Sequence, residues 1–157
     1  AMETFRQVAK EDPAARFLVV GSGRMTAEMK AYATRHLPPN SIHFAGFVPS
    51  TKTVPYYLAS DLVVCPSRYE TWARMINEAM LCRKPCLVSR KVAAAGGLVR
   101  DGISGYVVEQ PETEMFARAV ASHFALPKDR RRKLGEKARE DSMQFAYEPH
   151  IKNVLAS

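Results

Sequence analysis

Short β-branched runs closed by Gly, Pro or Ser alternate along the chain with segments whose apolar residues recur at helical spacing. Met2 to Glu11 predicts a helix. Arg16-Phe-Leu-Val-Val20, ending in Gly21-Ser-Gly23, predicts a buried strand followed by a tight turn. Met25, Met29, Tyr32, Ala33 and His36 then share a helical period up to Leu37, and Pro38-Pro39 stops that helix. Ile42-His-Phe-Ala45, ending at Gly46, is the second strand, and a short helix is expected over roughly Val54 to Ser60. Leu62-Val-Val-Cys65 is the third strand, closed by Pro66, with a helix after it from about Trp72 to Cys82. Cys86-Leu-Val-Ser89 is the fourth strand. A short helix near Gly97 to Arg100 leads to the fifth, Gly105-Tyr-Val-Val-Glu109, and from Glu112 the pattern is helical only, with breaks near Pro127 and Pro149.

Near-continuous apolar strands alternating with helices predict an α/β domain: a Rossmann-like, doubly wound parallel sheet covered by helices on both faces. Right-handed crossovers are expected. At 157 residues the chain fits one domain with a real core. A doubly wound domain normally opens with a strand, whereas here a helix comes first. Residues 1–157 are therefore expected to be a single domain lacking its first strand, a fragment of a larger two-lobed protein. Ala1 ahead of Met2 reads as a residue left by tag removal.

Hydrophobic residues make up 46% of the chain and charged residues 25%, ordinary for a globular protein. No apolar stretch reaches the roughly 18 residues of a membrane helix, and the start lacks the basic and apolar regions of a signal peptide. Cys65, Cys82 and Cys86, odd in number and set in apolar runs, are expected to be free buried thiols in a reducing, cytoplasmic compartment. The net charge of +7 admits nucleic acid, anionic lipid or a phosphorylated ligand. Its one dense run, Lys128-Asp-Arg-Arg-Arg-Lys133, falls on a helix where Glu136 and Glu140 are spaced to pair with Arg132 and with Lys133 or Lys137. A solvated helix face follows, and no aromatic residue interleaves with it as single-strand binding would want, so nucleic acid is not expected. His36, His43, His123 and His150 have no metal-ligand spacing, and Cys82 and Cys86 lack a second pair, so no metal is expected.

In open parallel sheets, ligands sit outside the carboxyl ends of the strands, where helix N-termini offer unpaired N–H groups to phosphate. Gly21-Ser-Gly23 begins a dinucleotide fingerprint, but its third position is Thr26 and the next strand ends without an acid for a ribose, so it reads as a plain strand-to-helix turn. The richer segment is Arg68-Tyr-Glu-Thr-Trp-Ala-Arg-Met-Ile-Asn-Glu-Ala-Met80. Glu70 lies in the loop after the third strand, and Glu78 comes eight residues later, within the helix. On the helical wheel Trp72, Met75, Ile76, Ala79 and Met80 form the apolar face. Glu78 falls at the edge of the polar face beside Arg74 and Asn77, so periodicity places it in solvent. A carboxylate can nevertheless accept both hydroxyls of a ribose cis-diol, through charge-assisted bonds worth about 1.5–3 kcal/mol.

The motifs Phe17-Leu-Val-Val-Gly-Ser-Gly23, His43-Phe-Ala-Gly-Phe-Val-Pro49, Ser60-Asp-Leu-Val-Val-Cys-Pro-Ser67, Glu70 through Pro85 and Leu98-Val-Arg-Asp-Gly-Ile-Ser-Gly105 follow one another at the intervals of the group 1 (family 4) retaining glycosyltransferases. The resemblance covers nearly the whole chain, and Glu70 to Glu78 resembles the E-x7-E signature of that family. It implies a GT-B architecture with substrates in the cleft between two Rossmann-like lobes, of which this would be the C-terminal, donor-binding one. It further implies a nucleoside-diphosphate sugar as donor, retention of anomeric configuration, and no metal or other cofactor. Glu78 would take the ribose hydroxyls and Glu70 would lie near the transferred sugar as the catalytic carboxylate. Thr71, Trp72, Ala73 and Arg74 would face the diphosphate and sugar, and Phe47 and Val48 would border the nucleobase. Trp72 could stack on sugar or base, or simply pack.

Several positions depart from the family. Ala73 and Arg83 stand where Gly is common, and Arg74 where an aliphatic residue is common; Arg74 could pair with the diphosphate or face solvent. Arg90 replaces an acid frequent after the fourth strand, and another acid expected near Gly97 is absent. The Arg and Lys that grip the diphosphate would precede Met2, and the acceptor lobe is absent, so the fragment alone is expected to be inactive. The alternatives are a sugar-nucleotide epimerase or phosphorylase of the same fold, and a degenerate lobe kept for structure or partner docking. The full-length protein would build a polysaccharide or another glycan, with a glycan or lipid-linked acceptor, in the cytoplasm or peripherally at the inner face of the membrane.

Overall fold

The structure is a computed structural model, and it describes residues 1–67 and 74–145. These form two compact units, Ala1–Lys52 and the residues from Thr53 onward. The chain is α/β, with parallel sheets and helices on both faces.

The first unit runs α1 (Met2–Glu11), β1 (Phe17–Val20), α2 (Thr26–His36), β2 (Ile42–Gly46) and a 3-10 turn at Ser50–Lys52. β1 and β2 are parallel, Phe17 opposite Ile42 and Val19 opposite Phe44, with an irregularity between Val19 and Val20. Phe5, Val8 and Ala9 of α1 and Ala33 and Leu37 of the α2 segment are buried, and the Phe5 and Phe17 rings stack at 4.9 Å. α2 ends where expected: Leu37 is driven into an extended conformation (ψ 151°) by the proline that follows it. Gly21 has φ +118°, with open space where a Cβ would stand, so the backbone conformation alone requires glycine. Its N–H donates to Gly46 O at 2.7 Å, and Gly23 N–H donates to Thr26 Oγ1 at 2.9 Å. The turn is thus closed by its own threonine.

The second unit runs α3 (Val54–Leu58), β3 (Val63–Cys65), α4 (Arg74–Leu81), β4 (Cys86–Ser89), β5 (Gly105–Val108), α5 (Thr113–Ala125) and α6 (Lys128–Met143). β4 is central in a parallel sheet of order β3-β4-β5, with Val63 opposite Cys86 and Cys86 opposite Gly105. All four β4 residues are buried, as expected of an apolar strand covered on both sides. Ile76, Ala79 and Met80 of α4 pack onto Cys86, Val88, Val92, Leu98, Val99 and Ala138 to make the core. Cys65, Cys82 and Cys86 are free and buried, as anticipated.

Residues 97–100, read as a short helix, are turns instead. Gly96 takes φ +83°, its N–H bonds Val99 O, and Val99 N–H returns to Ala94 O, folding Leu98 and Val99 into the core without a helical turn. On α6 the expected surface pairing holds: Arg132 Nη1 meets Glu136 Oε1 at 2.7 Å, and Lys137 pairs with Glu140. The buried side of α6 is anchored by Asp141, which receives Arg100 Nη2 at 2.6 Å and Nε at 2.9 Å, and by Ser142, whose hydroxyl donates to Asn77 O. Burial pushes the Asp141 carboxyl up, but the bonds from Arg100 and Ser104 outweigh it and hold the group below its ordinary value. The helix expected over Pro149 to Ala156 lies outside the described residues, and no helix among the described ones is long and apolar enough to cross a membrane.

α4 ends in a Schellman turn: Lys84 N–H bonds Ala79 O and Arg83 N–H bonds Met80 O, with Arg83 in the left-handed region at φ +58°. This is the position where glycine is expected, and an L side chain pays about 1 kcal/mol or more to occupy it. The Arg83 side chain is exposed, so little is lost with it. Arg83→Gly should therefore stabilise the protein by about 1 kcal/mol, raising Tm by about 2–4 °C in calorimetry.

Candidate functional site

α4 begins on the sheet's carboxyl-end side, because the crossover leaves β3 there and must return to the amino end of the parallel β4, and it carries Arg74 and Glu78 one turn apart. Three of its residues face the sheet. Glu78 is not one of them, yet it is only 9% exposed. The expectation that it lies in solvent is corrected here, and the reason is α3. That short helix starts at Val54-Pro55, where proline suits the first turn, and it lies along the flank of α4 that the wheel counted as polar.

α3 brings Tyr57 to Glu78. The phenol donates to Glu78 Oε2 at 3.0 Å, and the Thr53 hydroxyl reaches the same oxygen at 3.5 Å. Burial, with the Glu78 charge beside it, pushes the Tyr57 phenol up, so it stays a donor at any physiological pH. The other carboxylate oxygen, Oε1, faces Arg74 Nε at 3.2 Å; the arginine side chain is 58% exposed and that of Glu78 11%. α3 is itself pinned, since Lys84 Nζ donates to Leu58 O at 2.9 Å. Glu78 thus has two neutral hydroxyl donors on its inner oxygen, Tyr57 the closer, and one long, exposed cation on its outer one.

Ser67, two residues after β3, is held by the sheet: Ser89 Oγ, fully buried on β4, donates to Ser67 O at 2.8 Å. Glu70, Thr71, Trp72 and Ala73 lie outside the described residues. Arg74 is brought to Glu78. Phe47 and Val48 follow β2 in the first unit, Phe47 77% exposed and Val48 half-buried, just after Gly46 with φ +71°. Arg90 pairs with Glu109 at 2.6 Å across the ends of β4 and β5, both side chains at least half exposed. The sequence does not single out Tyr57 or Thr53. The signal for Tyr57 was its place three residues after the apolar Val54 on a proline-started turn, which puts both on one helical face.

A parallel α/β unit whose crossover helix starts at the carboxyl ends of the strands has the doubly wound architecture, in which that edge is where ligands bind. Here the fold is that of a GT-B glycosyltransferase lobe: the C-terminal domain of the group 1 glycosyl transferase LpcC from Francisella tularensis superimposes with a TM-score of 0.75 at 22% identity, covering 90% of this chain and 77% of that one. HepE of Anabaena, solved with UDP-glucose, gives 0.79 at 22% identity over 99% of this chain and 43% of that one. The chain belongs to the glycosyl transferases group 1 family, which it matches over residues 1–141. The D-inositol 3-phosphate glycosyltransferase of Segniliparus rotundus is 30% identical over 155 residues, 96% of this chain. That alignment takes in 34% of the relative, so the chain spans about a third of its length.

Proposed function

We propose that this chain is the donor-binding lobe of a retaining, metal-independent glycosyltransferase, which takes a nucleoside-diphosphate sugar and transfers the sugar to a glycan or lipid-linked acceptor held by another lobe. The observation that carries the reading is the buried Glu78 carboxylate, held on Oε2 by the Tyr57 and Thr53 hydroxyls and on Oε1 by one half-exposed guanidinium. Oε2 is met by two hydroxyls from within the unit, while Oε1 is met only by the exposed guanidinium, so Oε1 is the oxygen a ribose cis-diol would take. A buried carboxylate with one oxygen turned to an exposed, weakly held cation can exchange that cation for ligand hydroxyls. Membership of the family supports the reaction class, and the UDP-glucose held by HepE supports the ligand class. Glu70 would serve the transferred sugar.

Ligand-observed NMR with UDP, GDP and ADP tests this. One of them should bind the chain with a Kd of about 1 mM, near −4 kcal/mol. Glu78→Gln, which keeps the shape and removes the charge, should weaken it at least about tenfold. Failure of all three to bind, or unchanged affinity in a Glu78→Gln protein that melts normally, would leave a lobe without a donor site.

A further inference from the structure

The two oxygens of Glu78 are treated differently. Oε2 is held from inside the unit by Tyr57, whose ring packs against the core and whose helix is tied down by Lys84. Oε1 is met from outside by Arg74 at 3.2 Å, through a side chain 58% exposed that has no other ion pair or hydrogen bond among the described residues. An ion pair of that exposure is worth about 0.2–1 kcal/mol, because water competes and the long side chain must be held still. It can be opened cheaply.

A ribose cis-diol and Arg74 want the same oxygen. Glu78 Oε1 is the outward one, so a ribose reaching the carboxylate from solvent must displace the guanidinium. The freed side chain is rooted one turn nearer the start of α4 than Glu78. On a helix, side chains lean toward the N-terminus, so release lets Arg74 extend that way. That is also the direction in which the helix attracts phosphate, and a guanidinium fork matches phosphate oxygens two at a time.

We propose that Arg74 is an exchangeable counter-ion: in the free protein it neutralises Glu78 Oε1, and when a donor binds it yields that oxygen to a ribose hydroxyl and pairs with the diphosphate. This rests on the donor-site reading above. It makes Arg74 a specificity-determining residue that opposes ligands offering ribose alone and favours those offering ribose with diphosphate. The carboxylate is never left without a partner in either state, and the diphosphate recovers the free energy of the broken pair.

The inference predicts effects of opposite sign from one substitution. Arg74→Met is measured against whichever of UDP, GDP and ADP binds the unsubstituted chain, and against the parent nucleoside, by following amide chemical shifts in titrations. The nucleoside should bind about two- to fivefold tighter, the equivalent of the exposed ion pair no longer broken. The diphosphate should bind at least about tenfold weaker, the loss of a charge-assisted contact. If both ligands weaken together, or neither changes, Arg74 is an ordinary charge and the proposal is overturned while the donor site stands. If the unsubstituted chain binds none of the three diphosphates, the donor-site reading falls and this proposal falls with it.

Discussion

Gly105→Ala should destabilise the protein by about 3 kcal/mol, the upper range for forcing an extra methyl into a packed interior. Gly105 opens β5 directly opposite Cys86 of the central strand. A Cβ built there would stand 2.3 Å from Cys86 O and 2.7 Å from Val99 Cγ1, with Cys86 N at 3.2 Å. Two of these three atoms are backbone of the buried strand β4, and the third belongs to a fully buried, β-branched side chain with little freedom to turn. Nothing can move aside without breaking the β4–β5 ladder. For a domain of this size, 3 kcal/mol lowers Tm by about 6–12 °C and takes a large share of a total stability near 5–15 kcal/mol. Gly97→Ala is the control: it lies between the same two strands, no atom stands within 4 Å of its would-be Cβ, and its φ is not left-handed. It should change the free energy of urea unfolding by less than about 0.5 kcal/mol, as surface substitutions do. Equal behaviour of the two variants would mean that β5 does not approach β4 this closely.

The contrast between those glycines also marks what a single sequence can carry. Strand and helix positions were legible wherever one local rule decided them. Pro38-Pro39 ended α2, the β-branched runs became strands, and Gly21 supplied the left-handed turn, each without help from distant residues. Pairing on α6 was legible too, because Arg132 and Glu136 are neighbours by helical geometry alone. The errors arose where a second element intervened. The wheel of α4 put Glu78 in water, since a wheel knows only its own helix, and α3 supplies the cover from twenty residues upstream. Residues 97–100 are read from sequence as a short helix, but the left-handed Gly96 and the return bond from Val99 to Ala94 make a packed turn of them. Helical spacing puts Tyr57, and not Tyr56, on the face of Val54, but only the placement of α3 against α4 brings that phenol to the carboxylate. Arg83 was visible as a departure from glycine, but its consequence, a strained helix cap, required the backbone angle.

His123 gives the second large effect, a loss of stability in mild acid. It is 1% exposed on α5, its Nδ1 lies 2.9 Å from the Tyr106 hydroxyl, and its ring meets those of Tyr106 and Phe124 edge-on. Burial, and then the Arg131 guanidinium, which lies over the Phe124 ring, lower its pKa to about 4, with Asp61 acting against them. The imidazole is therefore neutral in the folded protein across the range where it would charge in the unfolded chain, whose value is near 6.5. Between those values the unfolded state binds the extra proton, so stability rises with pH and is lost as pH falls from about 6.5 toward about 4. At 1.36 kcal/mol per unit the loss reaches about 3 kcal/mol by pH 4. The buried carboxylate Asp141 also loses its advantage on acidification, so the comparison must be with a variant that keeps it. His123→Gln preserves an acceptor for the Tyr106 hydroxyl and does not titrate. Urea unfolding at pH 7 and pH 4.5 should show the wild type losing about 2–3 kcal/mol more than His123→Gln over that interval. Parallel losses in the two proteins would mean that His123 takes up its proton within the fold, and that the pocket formed by Tyr106, Phe124 and Arg131 is open to water on the timescale of the measurement.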